Sequence, residues 1–152
     1  MERNNTYFQR LIETSFDAIV LMNEYGKVIY QSPSTERISG YTLAEIQEIE
    51  GISLIHPNDV EQATNTFRTL LSTPGGVLHK KHRLKHKNGN YLWIEGVYRN
   101  LLNDKDVNAI VYNYTDVTEK VEAETRLTKS NRELQLLHNI NDLILNATDE
   151  CT

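Results

Sequence analysis

The sequence contains very little cysteine, and this limits the kinds of domain that it can form. Its one cysteine among 152 residues is Cys151, close to the C-terminal end. A disulfide framework or a cysteine-based zinc site needs several cysteines, and thiol chemistry in a core needs a cysteine placed there. None of these is available within this sequence, so we expect a domain that depends on an ordinary hydrophobic core.

Long hydrophobic runs are also missing. The longest unbroken apolar stretch runs from Ala18 to Met22, whereas a helix that crosses a bilayer needs about 20 such residues. The N-terminal residues are too polar for a secretion signal. Apolar residues make up 39% and charged residues 24% of the chain, which is typical of a soluble globular protein. We therefore expect a cytoplasmic protein without membrane insertion.

Positive charge is in deficit over the whole chain. Lys and Arg number 16 against 21 Asp and Glu, which gives a net charge of -5. A chain of this charge is not expected to have nucleic acid as its main partner. A basic strip from His79 to Lys87 is the exception. We interpret it as a solvated strand beside acidic helices, and an acidic partner or nucleic acid is the alternative.

Motifs of catalysis are absent as well. The sequence has no glycine-rich phosphate loop, no nucleophile elbow and no convergent pair of carboxylates. His56 precedes Pro57 at a predicted helix start, where a capping or turn role is expected. His138 lies on the terminal helix, but the following Asn139-Ile140-Asn141 lacks the acidic, basic and proline residues of a kinase phosphoacceptor motif. We therefore expect this segment not to be an enzyme.

Three histidines lie close together on the basic strip, and their spacing argues against a metal site. His82 and His86 share one face of the predicted strand, but four residues at about 3.3 Å each separate them by roughly 13 Å. One metal ion cannot bind both side chains at that distance. We therefore predict no metal site, and His82 as a single haem ligand stays open as an alternative.

The stretch from His82 to Thr118 predicts the centre of the fold. Asn88-Gly89 tolerates the positive φ angles of a two-residue turn between two long strands. A third strand, from Asn108 to Thr115, runs towards a long helical pattern without an intervening Gly or Pro. A second hairpin is predicted from Asp17 to Gln31. These segments together predict five strands in antiparallel pairings.

Helix-start signals place several short helices between the two hairpins. Pro33 suits a first helical position with Ser32 as its cap, and Thr42 with Glu45 forms a capping-box pattern. A longer helix is predicted after His56 and ends before residues 73–76. The result is an α+β fold, with a five-stranded antiparallel sheet and a block of short helices on one of its faces. Residues 1–15 add an amphipathic flanking helix, and residues 16–116 form the domain itself.

Residues 117–152 read as one long helix with a coiled-coil seam. Apolar positions recur at alternating steps of four and three residues, the pattern of two paired helices. Asn141 is the type of buried amide that fixes register and favours two parallel strands. A homodimer is therefore expected, and a helix that folds back on its own sheet is the alternative. The predicted seam consists of Ala123, Leu127, Ser130, Leu134, Leu137, Asn141 and Ile144.

From about Thr14 to Lys120 the chain resembles a PAS domain, the sensor module of bacterial signalling proteins such as sensor histidine kinases and diguanylate cyclases. The resemblance rests on the order and spacing of several motifs. These are Asn23-Glu24-Tyr25-Gly26, Ser32-Pro33, Ile38-Ser39-Gly40-Tyr41-Thr42, His56-Pro57-Asn58-Asp59, Lys87-Asn88-Gly89, Trp93-Ile94-Glu95 and Asp116-Val117-Thr118-Glu119. The last motif, formed by Asp116, Val117, Thr118 and Glu119, corresponds to the junction between the final strand and a signalling helix. No helix-stop signal follows Leu143-Ile144-Leu145-Asn146, so we expect a fragment of a longer protein. The resemblance implies that its downstream effector is a histidine kinase or a diguanylate cyclase.

The resemblance bears on cofactors too. The flavin-binding light-sensing branch needs a cysteine in the helical block, so its photoadduct chemistry is excluded here. Haem-binding relatives use a histidine that faces the cavity, and none of the five histidines has a signature around it, so haem is not expected. No cofactor is required, and its identity stays unknown. Tyr41, Phe67 and Trp93 are the residues expected to line a ligand cavity between sheet and helices, unless they fill a core.

Three hypotheses of function follow. The first is a non-catalytic sensory and dimerisation module that relays the state of a small-molecule ligand or partner through a coiled coil to an effector. The second is a gas or redox sensor that carries haem or another cofactor. The third is a dimerisation module with a filled core that only spaces its neighbours.

Overall fold

The computed structural model of the protein describes residues 2–150, so Cys151 lies outside the described residues. Within these residues the chain forms five α-helices, two short 3-10 helices and five strands, and the strands form a sheet. In chain order they are α1 (Glu2–Thr14), β1 (Ala18–Met22), β2 (Val28–Gln31), α2 (Pro33–Ser39), α3 (Leu43–Gln47), two 3-10 turns (Gly51–Leu54 and Pro57–Asp59), α4 (Val60–Leu71), β3 (Val77–Lys85), β4 (Tyr91–Leu101), β5 (Ala109–Asp116) and α5 (Thr118–Glu150).

The five strands form one sheet in the order β2-β1-β5-β4-β3. Every pairing between neighbours is antiparallel. The central strand β5 therefore joins the first hairpin to the second. The predicted α+β class and the five-stranded antiparallel sheet are confirmed. The chain divides into two compact units, of which the first ends at Val117 and the second begins at Thr118.

The loop between β3 and β4 is longer than the turn predicted from Asn88-Gly89. It consists of residues 86–90, and only Gly89 has a positive φ, at 93°. Side chains organise the rest, because Asn88 N donates to His86 Nδ1 at 3.0 Å and Asn90 N donates to Asn88 Oδ1 at 2.9 Å. The predicted hairpin is confirmed. The predicted two-residue turn is wrong, since these local bonds favour a wider loop.

The short helices begin close to their predicted starts, with one difference in capping. The Thr42 hydroxyl accepts from Glu45 N at 3.2 Å, and the Glu45 carboxylate accepts from Thr42 N at 3.3 Å. This confirms the capping box. Ser32 makes no side-chain cap at α2, because its hydroxyl accepts instead from Ile19 N at 3.0 Å. Its predicted capping role is therefore wrong, and Ser32 ties the start of α2 to the sheet.

The core lies on the helix-facing side of the central strands. Its buried apolar cluster consists of Ala18, Val20, Ile94, Tyr112 and Tyr114. Strand alternation explains this set, since Ala18 and Val20 share one face of β1, and Tyr112 and Tyr114 share one face of β5. On β4 the same face carries Ile94 and Gly96. Gly96 must lack a side chain, because a Cβ atom there would lie 2.1 Å from the carbonyl oxygen of Asn113.

The second unit is the single helix α5. Its apolar side chains after Val121 are exposed, and Leu127, Leu134, Leu137 and Ile144 of the predicted seam are 56% to 64% accessible. Across residues 2–150, no helix combines the length and the apolar character that crossing a membrane requires.

Candidate functional site

A cavity of about 690 Å³ lies in the domain between the sheet and the helices. Strands β1, β2, β3, β4 and β5 all contribute to its wall, as do α2, α3, α4 and the segment before α4. Its volume is within the range of roughly 300–1,000 Å³ that small-molecule sites occupy. The space between the sheet and the helices is therefore not completely filled by side chains.

Two of the three predicted pocket residues lie at this cavity. Tyr41, which follows α2, and Phe67 on α4 both line it. The ring of Phe67 also approaches the turn of the first hairpin, where a Cβ atom on Gly26 would lie 3.6 Å from its tip. Phe67 thus closes the cavity towards that hairpin.

Trp93 does not belong to the cavity wall, and its prediction as a pocket residue is wrong. It alternates with Ile94 on β4, so its side chain leaves the opposite face of the sheet. There the indole contacts two cations from the neighbouring β3, with Arg83 Cζ at 4.8 Å and Lys81 Nζ at 5.7 Å from the ring centroid. These are distances at which cation–π attraction operates.

The sheet side of the cavity carries a row of aromatic rings that the sequence hypotheses did not include. Tyr98 and Tyr112 stand opposite each other on β4 and β5 and stack with centroids 3.8 Å apart. Tyr114 follows at 4.9 Å from Tyr112, and His82 on β3 lies 6.0 Å from it on the other side. All four line the cavity. The alternation of tyrosines in β5 was the signal that could have identified this row.

The Tyr112 hydroxyl is the unusual group of the row. Tyr112 is 5% exposed, and its hydroxyl is the one buried side-chain polar atom without a hydrogen-bond partner among the described residues. Leaving a buried hydroxyl unpaired costs about 1–3 kcal/mol. Burial, reinforced by the neighbouring Tyr98, raises the pKa of Tyr112 far above its usual range. The hydroxyl therefore stays protonated and can donate a hydrogen bond.

The other titratable groups of the row are also kept neutral. Burial raises the pKa of Tyr98 and of Tyr114. The neighbouring Tyr112 hydroxyl only partly offsets this for Tyr98, and Thr35 only partly offsets it for Tyr114. Burial lowers the pKa of His82, which is 7% exposed, and the charge of Asp59 only partly opposes that shift. The aromatic row thus presents neutral polar tips to a mainly apolar space.

An ion pair holds the helical block to the sheet beside this row. Asp59 accepts from Arg83 in three places, from the backbone N at 2.9 Å, from Nε at 2.9 Å and from a terminal guanidinium nitrogen at 2.8 Å. Hydrogen bonding from Arg83 holds the pKa of Asp59 at about 2. Because Arg83 also lies over Trp93, the pair links the start of α4 to the opposite face of the sheet.

The predicted signal junction lies at the end of β5. Asp116 is the last residue of that strand and pairs with Ile94. Val117 N donates to the Trp93 carbonyl at 2.8 Å, so the residue after the strand still holds to β4. Thr118 and Glu119 are the first residues of α5. One residue outside regular structure therefore separates strand from helix.

The predicted seam residues and histidines are placed as follows. Ala123, Leu127, Ser130, Leu134, Leu137, Asn141 and Ile144 all lie on α5 and are exposed. His56 caps the turn before α4 by accepting from Asn58 N at 3.1 Å, as predicted. Within the described part of the chain, no cluster of three or more His, Cys, Asp or Glu could hold a metal ion.

Comparison with known proteins agrees with this geometry. A family model described as the PAS fold matches residues 28–114, which is more than half of the chain. The chain belongs to the PAS family. This PAS domain has the fold that the sequence resemblance implied.

Individual relatives include a sensor histidine kinase. The chain is 25% identical over 129 residues to the sensor histidine kinase TmoS of Ectopseudomonas mendocina, covering 84% of this chain and 13% of the kinase. It is 31% identical over 88 residues to the White collar 2 protein of Neurospora crassa, covering 58% of this chain and 16% of that protein. The chain thus spans less than a fifth of these two relatives. PAS domains of this kind occur in sensor histidine kinases.

A solved structure shows the same fold. The PAS domain of a Colwellia psychrerythraea protein superposes with a TM-score of 0.66 at 21% identity, covering 76% of this chain and 98% of that domain. At this identity the likeness concerns the fold alone. It supports the assignment of the sheet and the helical block to one PAS core.

Proposed function

We propose that this PAS domain is a non-catalytic sensory and dimerisation module of a cytoplasmic signal-transduction protein. A ligand or partner at the cavity changes the geometry of the sheet, and the change passes through residues 116–119 to a coiled coil formed by α5. In this organisation residues 1–15 are a flanking helix, residues 16–116 the sensor and residues 117–152 the signalling helix. An effector such as a histidine kinase, or alternatively a diguanylate cyclase, follows in the parent chain.

One observation carries this proposal. Strand β5 contributes Tyr112 and Tyr114 to the cavity wall, and the same strand ends at Asp116, two residues before α5 begins. A ligand that contacts these tyrosines therefore acts on the strand that continues into the helix. A ligand shifts a conformational equilibrium only by its difference in affinity for the two states. A ligand in contact with Tyr112 and Tyr114 is expected to have different affinities for the two positions of β5.

The exposed leucines of α5 support the dimer. Leu134 and Leu137 of the seam are 64% and 58% exposed, and burying a leucine side chain contributes about 1.5–3 kcal/mol. A second copy of α5 in parallel provides that burial along the seam, with Asn141 opposite its twin to fix the register.

The dimer is tested by comparing two pairs of leucines on the same helix. Replacing Leu134 and Leu137 by Gln is expected to weaken self-association of the chain at least about 100-fold, because four buried leucines are lost per dimer. Replacing Leu136 and Leu143 by Gln is the matched control, since these leucines are 61% and 68% exposed but lie outside the seam. Sedimentation equilibrium measures both, and equal effects of the two pairs contradict the seam.

The relay is tested at the junction in the parent protein. Replacing Asp116 and Thr118 by Ala is expected to abolish the response of the effector to its signal while the domain keeps its fold and its ligand affinity. Effector activity, circular dichroism and ligand binding are measured on the same preparation. Regulation that persists in this variant contradicts the relay.

A cofactor-bearing gas or redox sensor is the second candidate, and His82 favours it. The imidazole is buried, neutral and on the cavity wall, which is the state in which histidine binds a metal ion. A haem-binding domain is expected to show a Soret band after reconstitution with hemin, and His82→Ala is expected to remove it. Reconstituted protein without such a band excludes haem.

A further inference from the structure

Among the described residues, the Tyr112 hydroxyl is the buried polar group whose environment the fold alone does not explain. It lines the cavity and is 95% buried as the complement of its 5% exposure. The hydroxyl of Tyr98 is close enough to affect its pKa, but no described residue makes a hydrogen bond of normal distance and angle with it. Its ring is held by stacking on Tyr98 at 3.8 Å and by contact with Tyr114 at 4.9 Å. Because the ring is held, the hydroxyl oxygen keeps its place at the cavity, while its O–H bond can still rotate towards a partner there. Buried polar groups are nearly always paired, so the unpaired one calls for a partner inside the cavity.

The remaining polar groups deep in the wall are neutral. Thr35, Ser39 and Thr66 offer hydroxyls, and His82 offers an imidazole, all with at most 8% exposure. The charged side chains of the lining are Lys27, Glu48, Glu50, Lys80 and Lys81, and all are half-buried or exposed. Charge is thus confined to the solvent side of the cavity. An ionised ligand in the interior loses its hydration without gaining a buried counter-charge.

We infer, on the basis of the proposed sensory function, that the cavity takes an uncharged small molecule with an apolar body and one polar group that hydrogen-bonds the Tyr112 hydroxyl. The apolar body occupies the space between Phe67 and the core residues Val20 and Ile94. The polar group lies against the aromatic row, close to His82. Carboxylates, phosphates and ammonium compounds are excluded from this position by the neutral wall.

Three probes with one ring system test the ligand class. 2-Naphthol carries a hydroxyl, naphthalene has no polar group, and 2-naphthoate is charged at pH 7. Binding to the 152-residue chain is measured by isothermal titration calorimetry for 2-naphthol and 2-naphthoate and by fluorescence for naphthalene. We expect 2-naphthol to bind at least about 10-fold more tightly than 2-naphthoate. The carboxylate of 2-naphthoate loses its hydration in the cavity and finds no buried counter-charge there.

The Tyr112→Phe variant tests the hydrogen bond itself. It removes the hydroxyl and keeps the ring, so 2-naphthol is expected to bind about 3- to 10-fold more weakly, the size of one neutral hydrogen bond. Naphthalene is expected to bind the variant at least as tightly as the wild type. Tyr30→Phe is the matched control, since Tyr30 also lies on the sheet, in β2, but does not line the cavity and is 37% exposed. It is expected to leave all three affinities unchanged.

The outcomes separate this inference from the proposed function. Tighter binding of 2-naphthoate, an unchanged affinity of Tyr112→Phe for 2-naphthol, or no binding of any probe overturns the ligand class. Self-association of the same samples is measured in parallel by light scattering. A chain that binds 2-naphthol through Tyr112 but stays monomeric contradicts the proposed dimer while leaving the ligand class supported.

Discussion

The domain and the terminal helix contain the same aliphatic residues but use them differently. Ile94 and Ile110 of the sheet are 1% and 0% exposed, whereas Ile140 and Ile144 of α5 are 44% and 56% exposed. In the domain, apolar burial supplies the stability. In α5 the apolar side chains still face solvent, so their burial remains available for association. The difference teaches that the domain already gains its stability from apolar burial, whereas the exposed apolar residues of α5 are those that the proposed dimer would bury.

The most direct test of this comparison is to make the same truncation, isoleucine to alanine, in both regions. Ile94→Ala is expected to lower the free energy of unfolding by about 3 kcal/mol, because the methyl groups removed leave a cavity in a close-packed core. Ile140→Ala is expected to change it by less than about 0.5 kcal/mol, as surface changes usually do. Urea denaturation followed by the fluorescence of the single tryptophan, Trp93, measures both.

A large cost for Ile140→Ala contradicts the comparison. It would mean that α5 packs on its own domain, as in the alternative of a helix folded back over the sheet.

Charge pairs provide the second comparison. Asp59 and Arg83 have side chains 14% and 25% exposed, and the carboxylate accepts three hydrogen bonds from the arginine. Asp59→Asn is expected to lower the free energy of unfolding by about 2 kcal/mol at pH 7, the usual loss for hydrogen bonds to a charged group. The urea midpoint at constant slope measures it.

The control is the same substitution on the helix. His138 and Asp142 of α5 lie 3.5 Å apart with side chains 69% and 58% exposed, and exposed pairs contribute about 0–1 kcal/mol. Asp142→Asn is therefore expected to have almost no effect. Equal costs for the two variants contradict a structural role for the Asp59–Arg83 pair.

The smallest expected effect concerns pH and His82. Burial lowers the pKa of His82 from 6.5 in the unfolded chain, so the unfolded state takes up the proton first as the pH falls. Stability is then complete above the unfolded pKa and declines below it, with a slope of at most about 1.4 kcal/mol per pH unit for one proton. Asp59, with a pKa of about 2 against 3.8 unfolded, affects stability only at more acidic pH.

Urea unfolding of the wild type and of His82→Gln between pH 7.5 and 5 checks this expectation. The variant is expected to show a flatter dependence of stability on pH in that window. Identical slopes for the two proteins mean that His82 titrates in the folded domain as it does in the unfolded chain.

Local patterns predicted most elements of the fold, and the two exceptions have different causes. The Thr42–Glu45 capping box is correct because both partners lie within one turn of the chain. Ser32 satisfied the same local rule but bonds Ile19 on a neighbouring strand, an interaction that no local pattern reveals. The turn at Asn88-Gly89 failed because His86 and Asn88 offered competing side-chain bonds.

The candidate site was predicted less well, for a related reason. Tyr41 and Phe67 line the cavity. The size of Trp93 suggests a pocket residue, but strand alternation places its side chain on the face of β4 that is turned away from the helices. His82, Tyr98, Tyr112 and Tyr114 come from three strands, and their row depends on the register of the sheet. Register between distant segments is a property of tertiary pairing, so a single sequence contains only the alternation within each strand.

By itself the amino-acid sequence determined the α+β architecture, the PAS resemblance and the periodic leucines of α5, since periodicity and capping act over a few residues. Only the tertiary structure decided that the cavity exists, that its deep wall is neutral and that the Tyr112 hydroxyl has no partner there. These features arise where strands and helices distant in the chain meet, and burial at that meeting sets both the hydrogen bonding and the protonation of the groups involved.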